Sequence, residues 1–328
     1  MTERLENLTP DPIRNDRPAL AKAITLIEST RPKDRMAAKN LVETLMPYSG
    51  NSVRIGVTGV PGVGKSTFID SLGTLLLKKD LRVAVLAVDP SSKKSGGSIM
   101  ADKTRMKRLA VHPNAFIRPS PSRCFLGGVA EKSRETLLVC EAAGYDVIIV
   151  ETVGSGQSEI EVASMVDFFL VLMLPGAGDE FQGIKKGVLE LADAIAINKA
   201  DGMHRESADL ARAVYESAMR MTKPNLAEWT VPVLKCSAVN DIGVEAIWNV
   251  IQRHRQTLEE SGGFEEKRKK QNVAWMHSLV EERLRRHFFG LPSVKPLLLE
   301  MEEQVEHKGL FPASAADRIL ERMGVEHE

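Results

Sequence analysis

A glycine-rich segment, Gly59-Val-Pro-Gly-Val-Gly-Lys-Ser66, lies between an apolar run at residues 53–57 and an amphipathic stretch at residues 67–76. An apolar strand, a glycine-rich turn and a helix that opens on Lys-Ser make up the order that a phosphate-binding loop, or Walker A motif, requires. The glycines let backbone N–H groups converge on phosphate oxygens, and the N-terminus of the next helix adds a partial positive charge. The segment therefore predicts a nucleoside triphosphate site, whereas a plain glycine turn would leave the Lys-Ser pair unexplained.

The Lys-Ser pair predicts how the phosphates are held. Lys65 is expected to reach the β- and γ-phosphates, and the Ser66 hydroxyl is expected to ligate Mg²⁺. Hydrolysis at such a site requires neutralisation of phosphate charge and a positioned water, without a covalent intermediate on the protein. The residues predicted to bind the phosphates are Gly59, Val60, Pro61, Gly62, Val63, Gly64, Lys65, Ser66 and Thr67.

A second loop, Asn198-Lys-Ala-Asp201, indicates which base is bound. It follows an apolar run at residues 193–197, at a strand end where open α/β sheets bind ligands. In an Asn-Lys-x-Asp loop the carboxylate accepts hydrogen bonds from guanine N1–H and the 2-amino group. Adenine has neither donor, so ATP would leave the carboxylate unpaired. Ser237-Ala238 follows a strand at residues 231–235, where GTPases contact the guanine oxygen through the backbone. The residues predicted to bind guanine, and hence GTP, are Asn198, Lys199, Asp201, Ser237 and Ala238.

Carboxylates at strand ends are candidates for metal binding. Glu151 ends the apolar run at residues 145–150 and is expected to bind Mg²⁺ through water, with the Gly154 N–H near the γ-phosphate. Asp89 leaves the neighbouring strand on the same edge, and Asp102 follows a glycine pair. Each carboxylate taken alone is more often a turn or cap residue. The predicted catalytic residues are Lys65, Asp89, Glu151 and Gly154, and the predicted metal ligands are Ser66, Asp89, Asp102 and Glu151.

The overall composition excludes several classes of protein. The chain has 44 lysines and arginines against 44 aspartates and glutamates, so no net field favours nucleic acid or a membrane surface. Its three cysteines lack paired spacing, which indicates reduced thiols rather than disulfides or a zinc site. The charged N-terminus lacks the apolar core of a secretory signal, and the apolar run at residues 168–175 is too short to span a bilayer. We expect a cytoplasmic protein that binds neither nucleic acid nor membrane.

The pattern of apolar residues divides the chain into predicted domains at residues 1–50, 51–262 and 263–328. The first zone carries two helical patterns, and the last is helical throughout, with an apolar stripe that includes Met276 and Leu284. We interpret the charged run at residues 265–270 as a solvated helix start. The middle zone alternates strands and helices, which implies a mainly parallel sheet covered on both faces. Its predicted strands lie at residues 53–58, 82–88, 114–118, 145–151, 167–174, 193–197 and 231–235.

Five longer strings occur in order along the chain. They are Gly-Val-Thr-Gly-Val-Pro-Gly-Val-Gly-Lys-Ser-Thr, Val-Asp-Pro-Ser-Ser, Gly-Gly-Ser-Ile-x-x-Asp-Lys-Thr-Arg-Met, Glu-Thr-Val-Gly-x-Gly-Gln-Ser-Glu and Gly-Asp-Glu-x-Gln-Gly-Ile-Lys-Lys-Gly. In these strings the chain resembles the MeaB/ArgK GTPases, which are chaperones of adenosylcobalamin-dependent acyl-CoA mutases, chiefly methylmalonyl-CoA mutase. The resemblance covers nearly the whole chain, including both helical extensions.

The resemblance implies a P-loop GTPase domain, a homodimer joined through C-terminal helical arms, and a Mg²⁺ surrounded by the carboxylates and serine named above. It also implies that residues 175–187, which composition alone favours as a plain surface loop, report the nucleotide state to the mutase. Family members couple GTP binding and hydrolysis to loading adenosylcobalamin and ejecting inactivated cofactor. The expected ligands are therefore GTP or GDP and Mg²⁺, with adenosylcobalamin reached only through the partner mutase. The implied switch residues are Asp179, Gln182, Lys185 and Lys186.

Alternatives remain open at this point. Residues 122–128 and Ser155 depart from the family pattern, so the partner is methylmalonyl-CoA mutase or a relative, such as a hydroxyacyl- or isobutyryl-CoA mutase. A GTP-dependent metallochaperone that delivers nickel would need a Cys/His cluster, which the seven scattered histidines do not form. A kinase, which an older description of the same family links to arginine and ornithine transport, would need an acceptor pocket and a base such as Asp89.

Overall fold

The structure is a computed structural model that describes residues 13–14, 16–88, 105–119, 126–152, 158–176, 186–221 and 229–324. These residues form a sheet of seven parallel strands in the order β3-β2-β4-β1-β5-β6-β7, which confirms the predicted α/β fold. The strands are β1 (Val53–Gly59), β2 (Val83–Val88), β3 (Ala115–Pro119), β4 (Val147–Thr152), β5 (Phe168–Met173), β6 (Ala194–Ile197) and β7 (Val233–Lys235). Each predicted strand is found, with bounds that differ by at most two residues.

Helices connect the strands and extend the chain at both ends. The helices are α1 (Arg17–Ile27), α2 (Arg35–Leu45), α3 (Lys65–Leu77), α4 (Lys107–Val111), α5 (Leu126–Ala142), α6 (Ser158–Ala163), α7 (Lys186–Glu190), α8 (Arg205–Met221), α9 (Val244–Glu260), α10 (Gly263–Gly290), α11 (Val294–Lys308) and α12 (Pro312–Arg322). Among the described residues, none of these helices combines the length and the apolar character needed to cross a membrane.

The central strands are apolar without interruption because both of their faces are covered. In β4, Ile148 and Val150 belong to one buried hydrophobic cluster, whereas Val147 and Ile149 belong to another. Successive side chains of a strand point to opposite faces, so the two clusters lie on opposite sides of the sheet. A continuous apolar run is therefore what a buried parallel strand requires.

Sheet topology brings the strand ends that carry the sequence motifs to one edge. Gly59 at the end of β1 pairs with Leu172 of β5, and Val57 pairs with Glu151 of β4. The order in which successive strands are added to the sheet reverses beside β1. Strands β2 to β4 lie on one side of β1, and strands β5 to β7 lie on the other. Ligands of open α/β sheets bind at the carboxyl ends of the strands beside such a reversal. The loop after β1 is thus at the point where the topology favours a ligand.

The chain divides into two compact units, Met1–Lys269 and Lys270–Glu328. In the first unit, α1 and α2 pack on α5, and their apolar residues, among them Leu20, Ile24 and Leu41, join the same buried cluster as residues of the sheet. In the second unit, α11 and α12 bury a small cluster around Leu297 and Met301. The predicted domain boundaries after residues 50 and 262 stay predictions.

The interpretation of residues 265–270 as a solvated helix start is wrong for two of them. Arg268 donates hydrogen bonds to both carboxylate oxygens of Asp167 (2.8 and 2.7 Å) and one to the Ser52 carbonyl (2.7 Å). Lys267 donates to the Asp167 carbonyl (2.7 Å) and lies 3.6 Å from a carboxylate oxygen of Asp193. These partners are more than 70 residues away in sequence, so the local charge run does not reveal them.

Candidate active site

The phosphate loop, residues 59–66, is shaped by glycines that no other residue could replace without strain. Gly59 has φ +149° and Gly64 has φ +96°, both in the region that favours glycine. A Cβ on Gly59 would lie 2.4 Å from the Leu172 carbonyl oxygen, and one on Gly64 would lie 2.8 Å from Asn198 Nδ2. The backbone of β1 can therefore turn tightly between β5 and the loop at residue 198 and deliver Lys65 at the start of α3.

Lys65 is buried, and its cation is satisfied by backbone oxygens alone among the described residues. Its Nζ donates to the carbonyls of Gly59 (2.7 Å) and Val60 (3.3 Å), which are its hydrogen-bond partners in the described part of the chain. Burial lowers the pKa of Lys65, and the negative charges of Glu151 and Glu159 oppose that shift. A buried ammonium group that is held by carbonyls at a loop of this shape is suited to an anionic ligand.

Ser66 and Glu151, two of the predicted metal ligands, are brought into direct contact. The Ser66 hydroxyl donates a 2.8 Å hydrogen bond to Glu151 Oε1, and both side chains are buried. The contact arises because Ser66 lies in the first turn of α3 while Glu151 lies near the carboxyl end of the adjacent β4. Hydroxyl and carboxylate oxygens are the ligands that Mg²⁺ takes, so the pair fits that ion.

Glu159 is a buried carboxylate that was not predicted as a site residue. It lies in the first turn of α6, and its charge raises the pKa of Lys65. Within the described part of the chain, its Oε2 accepts no hydrogen bond. The signal available in the sequence was the string Gly-Gln-Ser-Glu159, which ends one of the strings shared with the MeaB/ArgK family.

Asn198 joins the phosphate loop to the loop that follows β7. Its Nδ2 donates to the Val63 carbonyl (2.8 Å), and its Oδ1 accepts from the Ala238 N–H (3.0 Å). Lys199, held at φ +59°, donates from Nζ to the Gly62 carbonyl (2.8 Å). These contacts bring the predicted phosphate-binding and guanine-binding segments together, and the predicted role of Asn198 in binding the nucleotide stays a prediction.

Asn240, which was not predicted as a site residue, bridges Asp201 and Ser237 by hydrogen bonds. Its Nδ2 donates to Asp201 Oδ2 (3.1 Å) and to Ser237 Oγ (3.1 Å). We name residues 236–243 the base loop. Within it, Ser237 and Ile242 exchange backbone hydrogen bonds of 2.9 and 3.1 Å, which close a tight turn. Asp201 is half-buried at the edge of this arrangement, so its carboxylate is held and yet accessible.

The remaining predicted residues lie outside the described part of the chain or lack a described side chain. Lys186 begins α7, but its side chain is not described. The predicted site residues outside the described ranges are Asp89, Asp102, Gly154, Asp179, Gln182 and Lys185. Their roles stay predictions.

Comparisons with known proteins identify relatives of this chain. The family model described as "Methylmalonyl Co-A mutase-associated GTPase MeaB" matches residues 20–293. A Mycobacterium tuberculosis protein named "Probable GTPase Rv1496" is 53% identical over 306 residues, which cover 93% of this chain and 91% of that protein. GTPase ArgK of Escherichia coli is 49% identical over 277 residues, 84% of each chain. A crystal structure described as that of a "LAO/AO transport system kinase" has 40% identity and a TM-score of 0.78, and the match covers 96% of each chain.

Proposed function

This chain is a GTPase of the MeaB family, and we propose that it hydrolyses GTP at the phosphate loop in order to gate adenosylcobalamin loading onto a cobalamin-dependent acyl-CoA mutase. The observation that carries the site is the buried Lys65, whose ammonium group contacts backbone carbonyls only among the described residues. Its position at the start of α3, beside Ser66 and Glu151, is the arrangement that a triphosphate with Mg²⁺ requires.

The mechanism follows from where the charges lie. Lys65 and the backbone N–H groups at the start of α3 would stabilise the negative charge that spreads over the γ-phosphoryl oxygens as its bond to the β-phosphate breaks. Ser66 and Glu151 would hold Mg²⁺, which when bound neutralises charge on the β- and γ-phosphates. Asp201 would accept hydrogen bonds from the guanine N1–H and 2-amino group, while Asn198 links the base loop to the phosphate loop. Asp89 and Asp102 would complete the metal surroundings, and the Gly154 N–H would contact the γ-phosphate.

The proposed partner is methylmalonyl-CoA mutase or a related acyl-CoA mutase. The description of the matching family supports the association with methylmalonyl-CoA mutase. Residues Asp179, Gln182, Lys185 and Lys186 would report the nucleotide state to that partner, and adenosylcobalamin would be held by the mutase rather than by this chain. Coupling of this kind requires that the GTP-bound and GDP-bound states differ in their affinity for the mutase.

We also propose that the chain forms a homodimer through α10. One side of this helix presents Val273, Met276, Val280 and Leu284, and each of these side chains is at least half exposed. Their spacing places them along one stripe of the helix, which is the pattern of a helix–helix interface. Sedimentation of the purified protein would test this state, since a monomer at micromolar concentration would contradict it.

The test of the function is GTP turnover by the purified protein, alone and with each adenosylcobalamin-dependent acyl-CoA mutase of the same organism. We expect slow turnover alone and strong acceleration by one mutase, which would also identify the partner. Slow turnover that no mutase changes would contradict the chaperone function and leave the GTPase intact. Lys185→Ala should keep the basal rate and weaken the acceleration, while Lys39→Ala, at an exposed position of α2, serves as the matched control.

A second candidate is phosphoryl transfer to an acceptor other than water. It is favoured by the similarity to the crystal structure that is described as a transport system kinase. Supplying γ-labelled GTP and following the label distinguishes the two reactions, because a GTPase releases it as inorganic phosphate and a kinase leaves it on an acceptor. For metal delivery, the described residues contain no group of three or more His, Cys, Asp or Glu side chains that could hold the metal ion.

A further inference from the structure

The tip of the base loop carries two polar residues, Asn240 and Asp241, to which neither the sequence motifs nor the family match assigns a role. The turn that presents them is tightly constrained. Gly243 has φ +75°, and a Cβ there would lie 2.3 Å from the Lys235 carbonyl oxygen. Asp241 adopts φ +55°, which is uncommon for a residue with a side chain. Strain of this kind persists only where surrounding contacts compensate for it.

Asn240 uses its amide nitrogen to orient the carboxylate that is expected to recognise guanine. The Nδ2 group has two hydrogens, and its two contacts are to Asp201 Oδ2 and Ser237 Oγ, each at 3.1 Å. A carboxylate has about four lone-pair positions, so a hydrogen bond to one side of Oδ2 leaves room for two donors from a base. The donor therefore limits rotation of the Asp201 carboxylate without occupying its binding positions.

Asp241 fastens the tip of the base loop to the helix that follows the phosphate loop. It accepts a hydrogen bond from the Ser71 hydroxyl of α3, and the Arg108 guanidinium donates to both of its carboxylate oxygens, the closer at 2.8 Å. The same guanidinium donates from Nε to Asp70 Oδ2 at 2.8 Å. The hydrogen bond from Arg108 lowers the pKa of Asp241, which keeps this carboxylate charged.

Asp70 completes the connection from α3 to α4. Its Oδ1 accepts from the backbone N–H groups of Arg108 (3.1 Å) and Leu109 (3.0 Å), and the side chain is buried. Arg108 is thus held by a buried carboxylate on one side while it holds Asp241 on the other. The base loop, α3 and α4 are joined through charged hydrogen bonds, which are stronger than neutral ones.

We propose that Asn240 is a positioning residue that determines specificity for guanine, and that Asp241 keeps it in place by anchoring the base loop to α3 through Ser71 and Arg108. This inference rests on the proposed function, in which Asp201 binds the guanine base. Because both guanine donors depend on the orientation of one carboxylate, loss of the Asn240 donor affects guanine more than a base that offers a single donor. Hypoxanthine, the base of inosine, lacks the 2-amino group and is such a base.

The experiment compares the affinities of GDP and inosine diphosphate for the whole protein and for Asn240→Ala. We expect GDP to bind about tenfold more weakly to the variant, as for loss of one hydrogen bond to a charged group, with a smaller change for inosine diphosphate. The ratio of the two affinities should therefore fall. Val239→Ala, in the same loop at a position that is 77% exposed, is the matched control and should leave the ratio unchanged.

Two further variants separate the possible outcomes. Asn240→Asp removes the donor and places a second negative charge beside Asp201, so GDP affinity should fall further than in Asn240→Ala. Asp201→Asn tests the base site itself. If it keeps the wild-type affinity for GDP, the proposed base site is wrong. If Asp201→Asn loses affinity for GDP while Asn240→Ala folds and keeps the wild-type ratio, the base site stands and the positioning role of Asn240 is overturned.

Discussion

Cations lie both at the amino edge of the sheet, where the strands begin, and at its carboxyl edge, where they end, and Lys65 at the carboxyl edge differs from the arginines at the amino edge in how its charge is neutralised. At the amino edge, Arg54 pairs with Glu141 (2.7 Å) and Arg268 pairs with Asp167 (2.7 Å), so each of these two largely buried arginines has a carboxylate in direct contact. At the carboxyl edge, the hydrogen-bond partners of the Lys65 ammonium group among the described residues are two backbone carbonyls rather than a carboxylate. The charges of the arginine–carboxylate pairs are neutralised without a ligand, whereas the charge of Lys65 would be neutralised by a bound anion.

This difference distinguishes charges that maintain the fold from charges that serve the reaction. Removing one partner of a buried pair leaves the other charge without compensation, which costs about 3–5 kcal/mol of stability. Removing Lys65 breaks no direct ion pair among the described residues, and it also removes the cost of burying the cation, although the buried Glu151 and Glu159 lose a nearby positive charge. Loss of a paired arginine at the amino edge should therefore lower stability and leave activity unchanged, whereas loss of Lys65 should lower activity and leave stability unchanged or higher.

The largest effect is expected for Lys65→Ala. Loss of the cation that would face the transferring phosphoryl group should lower GTP turnover by a factor of about 10²–10³, the usual result of removing one electrostatic contact to a transition state. The free energy of unfolding without nucleotide, measured by denaturant titration, should stay the same or increase. A variant that turns over GTP at the wild-type rate would show that the site is elsewhere. A large loss of stability would show that Lys65 belongs with the structural charges.

Arg268→Ala tests the amino edge and should give the converse result. It leaves Asp167 buried without its paired guanidinium, so we expect the free energy of unfolding to fall by about 3 kcal/mol, measured by denaturant titration. GTP turnover per folded molecule should be retained, because the residue contacts the opposite edge of the sheet. The matched control is Arg286→Ala in the same helix, where a half-exposed Arg286 pairs with Glu282 and should contribute less than about 1 kcal/mol.

The same comparison explains how much of the molecule could be predicted from its sequence. The carboxyl edge is marked by local signals, since glycines with positive φ, a Lys-Ser pair and an Asn-Lys-x-Asp loop each lie within a few consecutive residues. The amino edge has no local signal, because Arg54 and Glu141 are 87 residues apart and Arg268 and Asp167 are 101 residues apart. Charged runs are usually solvated, so residues 265–270 gave no reason to expect burial.

Within the site, prediction was limited in the same way. Lys65, Ser66, Glu151 and Asn198 lie together, as the motifs indicate, because parallel strands bring their carboxyl ends to one edge. Asn240 was not predicted as a site residue. Its proposed role depends on a contact to Asp201, 39 positions away in sequence, and on the shape of the turn that presents it. A motif specifies residues that touch a ligand, whereas the residues that orient them become visible only in three dimensions.

The smallest effect concerns the pH dependence of stability at the amino edge. Burial raises the pKa of Asp193, but Lys267, His254 and the Phe169 N–H outweigh it, so the pKa of this carboxyl lies below its ordinary value. A depressed pKa contributes stability that is present above the unfolded value of about 3.9 and is lost as the pH falls through the folded value. The free energy of unfolding of the wild type should therefore decrease below about pH 4 more steeply than that of Asp193→Asn.

The comparison is made by denaturant titration of both proteins between neutral and acidic pH, so that carboxylates common to both cancel. The difference in stability should be largest at neutral pH, where Asp193 is charged and faces Lys267 at 3.6 Å, and it should narrow as the carboxylate is protonated. A difference that stays constant with pH would mean that the Asp193 charge contributes nothing and that packing alone holds this edge. A constant difference would also weaken the contrast between the amino edge and the site at Lys65, because that contrast rests on direct pairing of charges at the amino edge.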